Sequence, residues 1–143
     1  MGKIEANVDL PASQEKVWAV VSDFSRWGEW FTIHKSWKSE VPAEPTVGST
    51  LTGVVSVLNM PNTITWTVDA FEAPSTLTIS GNGMAGAKLA VTMTVTARGD
   101  SSALSLESTF EGQMIVGAIG AAIERAGRKD LATSLTELAA LVS

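Results

Sequence analysis

From Thr63 to Glu111 the chain is written largely in a two-residue period. Ile64, Trp66, Val68 and Ala70 alternate with Thr63, Thr65, Thr67 and Asp69, and Leu77 and Ile79 with Thr76, Thr78 and Ser80. Leu89, Val91, Met93 and Val95 interleave with Lys88, Thr92, Thr94 and Thr96. Leu104, Leu106, Ser108 and Phe110 do the same with Ser105, Glu107, Thr109 and Glu111. Successive side chains of a strand point to opposite faces, so the pattern predicts an antiparallel sheet that is dry on one face and wet on the other. Glu107 and Glu111 fall on the wet face, and Ser108 is a polar residue on the dry one. A dry face must be covered, and that requirement constrains the rest of the chain.

The C-terminal segment supplies the cover. Residues from about Met114 to Val142 read as one helix, roughly 40 Å long at about 1.5 Å per residue. Ile115, Ile119 and Ile123 form one apolar stripe, and Leu131, Leu135, Leu138 and Val142 a second. The second stripe is rotated by roughly a quarter turn, with Gly127 at the junction. The first half is expected to lie over the sheet and the second against the N-terminal helices. Gly117, Gly120 and Gly127 keep the first half thin, which leaves room for a space beneath it.

The N-terminal part has the signals of a strand followed by two short helices. Ile4, Ala6, Val8 and Leu10 alternate with Glu5, Asn7 and Asp9, and Pro11 ends the run. Ser13 caps a helix through Val17, Trp18, Val20 and Val21, and Asp23 caps a second from Phe24 to Trp30. A strand over His34 to Glu40 follows, then a Pro42, Pro45 and Gly48 loop, a strand over Thr50 to Leu58 and a turn at Asn59-Met60-Pro61-Asn62. No repeat or low-complexity linker interrupts residues 1–143, so one domain is expected. The fold class is α+β: a seven-stranded antiparallel sheet wrapped on a long C-terminal helix, with two short helices after the first strand.

Composition then removes chemistries. There is no Cys, no Tyr and one His, against five Trp. Disulfides, thiolate metal sites, Cys nucleophiles and Tyr acids are excluded, and a lone His makes a His-based metal site improbable. No metal or cofactor is expected. The net charge of −5, with no basic run interleaved with aromatics, argues against a nucleic-acid partner. Gly81, Gly83 and Gly86 do not make a phosphate loop, because no Lys-Ser/Thr follows. Glu5 breaks the apolar start that a signal peptide needs, and Ala6 replaces the Ser/Thr of a myristoylation signal. The uncharged stretch Pro45 to Val68 reads as strands and a turn rather than a membrane span. A soluble cytoplasmic protein without stable membrane insertion is expected.

Several local phrases carry a resemblance. They are Leu10-Pro11-Ala12-Ser13 through Val17-Trp18, then Asp23-Phe24-Ser25-Arg26-Trp27-Gly28-Glu29-Trp30, and Gly48-Ser49-Thr50. With the order β-α-α-β-β-β-β-β-β-α, the chain resembles the helix-grip fold of the START-like (SRPBCC) superfamily. It is most similar to the polyketide cyclase/dehydrase and lipid-transport group. The run Trp30-Phe31-Thr32-Ile33-His34-Lys35-Ser36-Trp37, with Met60-Pro61-Asn62, looks closer still to a small bacterial subgroup. One member type of that subgroup is described as the toxin of a toxin–antitoxin pair. The resemblance implies a hydrophobic cavity between sheet and C-terminal helix that binds lipids, polyketides or similar ligands. Only some members of the superfamily catalyse a reaction.

Alternate turns of an antiparallel meander fall at the same end. The beginning of the second strand, the third–fourth and fifth–sixth turns and the beginning of the last helix therefore cluster, placing His34, Met60, Met84 and Met114 at one expected mouth. Trp66, mid-strand on the dry face, is the leading wall residue, because its indole N–H needs a partner. Trp30, Trp37, Met93, Phe110, Ile119 and Ile123 complete the candidate lining. Trp18 is expected to pack the first helix on the C-terminal helix. His34 is the one near-neutral titrating side chain and the one candidate acid/base, with Asp23 and Glu29 as conceivable partners. Three functions are thus in view. The first is binding or transport of a small hydrophobic ligand; the second is a cyclase- or dehydratase-like enzyme using His34. The third is a toxin with an antitoxin-like protein partner.

Overall fold

A computed structural model describes residues 2–42, 45–57, 60–83, 86–112 and 117–142. Strand β1 is Gly2–Leu10 and helix α1 Gln14–Val21; a 3-10 turn over Phe24–Arg26 leads into the short helix α2, Trp27–Trp30. Strands β2 (His34–Trp37), β3 (Thr50–Val57), β4 (Met60–Glu72), β5 (Thr76–Asn82), β6 (Lys88–Arg98) and β7 (Ser101–Glu111) follow, and helix α3 spans Gly117–Leu141. The strands form one seven-stranded sheet in the order β1-β7-β6-β5-β4-β3-β2, antiparallel throughout. The chain thus begins on one edge and crosses through α1 and α2 to the other. It then returns strand by strand until β7 closes beside β1.

The two-residue period becomes burial as expected. Ile64, Trp66, Val68, Leu77, Ile79, Val91, Met93, Val95, Leu104 and Leu106 are all buried in one core. Ser108 shares their face, since it pairs with Ile4 and Val91. Ala70 departs from the expected alternation. A register shift between Val68 and Ala70 inserts a residue, so Ala70 pairs with the outward Thr78 and Phe71 pairs with the buried Leu77. A bulge moves every later side chain to the other face. Phe71 thereby reaches Trp18, edge-on at 5.4 Å between ring centres. Trp18 therefore packs on the end of β4, a neighbour the sequence did not suggest.

Other boundaries shift for local reasons. Ser13 caps α1 by accepting from Lys16 N at 3.2 Å, and Asp23 caps the 3-10 turn by accepting from Ser25 N at 3.1 Å. The second strand ends at Trp37 rather than Glu40. There Ser39 Oγ, not a backbone carbonyl, takes the Thr52 amide at 2.9 Å, and the ladder stops. The β3–β4 turn is tighter than expected, because Met60 already pairs with Val57 and Pro61 with Ser56. Pro61 lacks an N–H, but β5 stops at Asn82 opposite Thr65, so this part of β4 is an edge.

The covering helix is only half a cover. Leu131, Leu135, Leu138 and Val142 are buried, as the second stripe requires, and Ser134 joins them. Of the first stripe, Ile119 is 51 % exposed and Ile123 half-buried; Ile115 lies outside the described residues. Helix α3 packs chiefly on β1 and α2 rather than across the middle strands. Gly127 permits this approach, since a Cβ there would run into Ile4 Cδ1. Among the described residues no helix is long and apolar enough to cross a membrane.

Candidate functional site

The aromatic residues of the α2–β2 region form one network. Phe24, Trp27, Trp30, Phe31, His34 and Trp37 touch in series through the 3-10 turn, α2 and β2. Trp27 lies edge-on to Phe24 at 4.9 Å, to Phe31 at 5.2 Å and to His34 at 6.2 Å. Trp30 stacks on Phe31 at 5.3 Å, and His34 lies 4.4 Å from Trp37. The connector between α2 and β2 is latched to α3. Ser134 Oγ accepts from Thr32 N at 3.0 Å, and Thr32 Oγ1 donates to the Asp130 carbonyl at 3.1 Å.

Hydrogen bonding divides these tryptophans into two kinds. Trp27 Nε1–H donates to the Val21 carbonyl at 3.0 Å, and Trp37 Nε1–H to the Phe24 carbonyl at 2.8 Å. Both are thereby fixed to backbone. Trp30 Nε1–H and Trp66 Nε1–H are buried with no partner, and so is His34 Nδ1. The other buried polar side chains are satisfied: Ser102 Oγ donates to the Ala12 carbonyl at 2.9 Å, and Ser134 takes Thr32. An unpaired buried donor costs about 1–3 kcal/mol, so unpartnered groups inside a well-packed domain call for an explanation.

Strand glycines seat the rings, a signal the sequence reading passed over. Leu51, Trp66, Gly81, Leu89, Phe110 and Gly2 form one row across the sheet. A Cβ on Gly81 would meet Trp66 Cε3 at 2.7 Å, and one on Gly2 would enter the Phe110 ring. In the neighbouring row a Cβ on Gly53 would meet Trp37 Cε3 at 2.9 Å. Glycine within a strand marks close approach, and each of these three lies beside a predicted lining residue.

His34 is 7 % exposed, and burial lowers its pKa from the ordinary histidine value, which favours the neutral ring. The conceivable carboxylate partners are engaged elsewhere. Asp23 holds Ser25, and Glu29 pairs with Arg26 at 3.0 Å. Among the described residues no carboxylate contributes to the His34 shift, whose one cause is burial. Among the described residues, no three His, Cys, Asp or Glu side chains come together in a way that holds a metal ion.

The remaining candidates are scattered by depth. Met93 is fully buried between Leu77 and Leu106, deep in the core. Met60 is 58 % exposed at the β3–β4 turn, so it rims the sheet end rather than lining an interior. Met84 and Met114 lie outside the described residues, and the expected methionine mouth is described only at His34 and Met60. The β3–β4 and β5–β6 hairpins do share one end, since a Cβ on Gly83 would meet Asn62 Oδ1 at 3.1 Å. Two clefts open to solvent, the first touching the ring network at Phe24 and the second reaching Phe110. One of about 430 Å³ lies between the end of α1, Pro42, Pro45 and Phe71, and one of about 240 Å³ lies over Ser80, Ala90 and Thr109.

Known proteins share this architecture. A START superfamily protein from Mycobacterium smegmatis superposes with a TM-score of 0.80 at 17 % identity, covering 98 % of this chain and 96 % of that one. An uncharacterized Mycobacterium tuberculosis protein is 36 % identical over 141 residues, 99 % of each chain. A second protein of that organism, named as a toxin, is 33 % identical over 135 residues, 94 % of each. The strand order, the long C-terminal helix and a family match spanning residues 1–143 lead to one assignment: the chain belongs to the polyketide cyclase / dehydrase and lipid transport family.

Proposed function

We propose that this protein binds a small hydrophobic ligand carrying hydrogen-bond acceptor oxygen, in the interior between the sheet and α3. One observation carries the reading. Trp30 Nε1–H, Trp66 Nε1–H and His34 Nδ1 are the buried side-chain polar atoms left without partners among the described residues. A fatty acid, isoprenoid or aromatic polyketide offers an apolar body for the aromatic walls and a carbonyl or carboxyl oxygen for the two donors. Family membership supports the ligand class. The half-exposed first half of α3 is the natural side of admission, since few of its contacts would break. His34 is read as a ligand contact rather than an acid/base, because it has no carboxylate to position it.

A thermal-shift and native mass-spectrometry screen against fatty acids, isoprenoids and aromatic polyketides tests this. A stoichiometric complex is expected, weakened about threefold to tenfold by Trp30→Phe or Trp66→Phe, the worth of one hydrogen bond. Absence of any complex, or binding by both variants as tight as by the unaltered protein, refutes it.

The toxin-named relative favours a second reading, that the protein acts through a protein partner. Growth arrest on expression, relieved by the product of an adjacent small gene, is expected on that reading. Unimpaired growth opposes it.

A further inference from the structure

The cleft of about 430 Å³ at the far end of α1 lies outside the interior site and shares none of its unpartnered atoms. Trp18, Phe24 and Phe71 line it from three elements, with Pro42 and Pro45 closing one side. Among the described lining residues, Asp23 is the one that carries a charge. Both hydrogen bonds to its carboxylate fall on Oδ1, from Ser25 N at 3.1 Å and Ser25 Oγ at 2.5 Å, which leaves Oδ2 for another donor. Arg26 also feels the Asp23 charge, but its hydrogen bonds go to Glu29, at 3.0 Å, and not to Asp23. The other polar liner, Ser22, spends its hydroxyl on the Trp18 carbonyl at 2.6 Å.

We infer that this cleft is a second binding site, for a small organic amine whose ammonium meets Asp23 and whose flat apolar body lies among Trp18, Phe71 and the prolines. Aromatic faces attract cations, and an ammonium also gains a charge-assisted hydrogen bond to the free carboxylate oxygen. A carboxylate ligand would meet Asp23 as a like charge on a protein of net charge −5. The selectivity expected is therefore amine over alcohol over acid on the same carbon skeleton.

The test uses phenethylamine, 2-phenylethanol and phenylacetate, titrated by NMR with the Trp18 indole and Ser25 amide as reporters. Phenethylamine should move both resonances and bind about tenfold more tightly than the alcohol. Asp23→Asn should erase that preference, while keeping the fold, because Asn caps a helical turn as well as Asp. It should also leave unchanged the complexes of the interior screen, so the two sites fail or succeed separately. Equal affinity for amine and alcohol, an unaltered preference in Asp23→Asn, or shifts confined to other residues would overturn the proposal. A Trp18→Phe variant gives a second check: weakened amine binding in protein that still folds is expected, and unchanged binding contradicts it.

Discussion

On the proposed function, the residues that matter are distinguished by their unmet hydrogen bonds, not by residue type. The candidates His34, Trp30, Trp37 and Trp66 were legible from composition and alternation. What the sequence did not show is that Trp37 gives its N–H to Phe24 while Trp30 and Trp66 give theirs to nothing. That difference depends on contacts between elements and leaves no local pattern. The strand glycines were legible in principle. Gly81→Ala should destabilise the fold by about 1–3 kcal/mol in urea unfolding, because its Cβ would stand 2.5 Å from Ile64 Cγ2 and 2.7 Å from Trp66 Cε3. A loss within 0.5 kcal/mol, on the order of a surface change, would contradict this. His34 predicts a pH dependence. Its folded pKa is lowered by burial, so the unfolded chain binds more protons at pH values between the folded pKa and about 6.5. The associated stability is complete above about pH 6.5 and falls as the solution is acidified toward the folded pKa. The urea midpoint should drop between about pH 7.5 and pH 5.5, and His34→Gln should flatten that slope. An identical slope in the variant would assign the effect to other groups.

At the scale of elements, helix α3 is anchored at its second half and loosely held at its first. The second stripe was read correctly because each of its leucines meets a neighbour that apolar spacing alone anticipates. The first stripe is met in part: Ile123 packs against the core, whereas a helix resting on β1 through Gly127 leaves Ile119 facing solvent. Ser134 went unnoticed in the sequence as one polar residue within an apolar face, yet it takes the Thr32 amide across 102 residues. Ser134→Ala should expose that amide to exchange and cost about 1–3 kcal/mol, with the α2–α3 contact loosening first. Hydrogen exchange at Thr32 measures it, and protection equal to that of the unaltered protein would contradict the latch. The bulge at Val68–Ala70 is the element-scale feature that alternation could not foresee, since one inserted residue reverses the phase and delivers Phe71 to Trp18.

For the whole molecule, strand count, the antiparallel meander and the covering helix followed from period, parity and the need to bury one face, whereas the closure of β7 beside β1 comes from the structure. Function followed less directly, because one fold serves many chemistries and only its interior distinguishes them. Here that interior is apolar, aromatic and locally short of acceptors. On the proposed function, ligand oxygen satisfies the donors of both Trp30 and Trp66. Indole N–H NMR on the ligand found by screening reads this directly, with Trp27 and Trp37 as internal references already bonded to backbone. Saturating ligand should move the Trp30 and Trp66 Nε1–H resonances downfield and slow their exchange while the Trp27 and Trp37 resonances hold their positions. Unmoved Trp30 and Trp66 resonances in a stoichiometric complex would contradict the account.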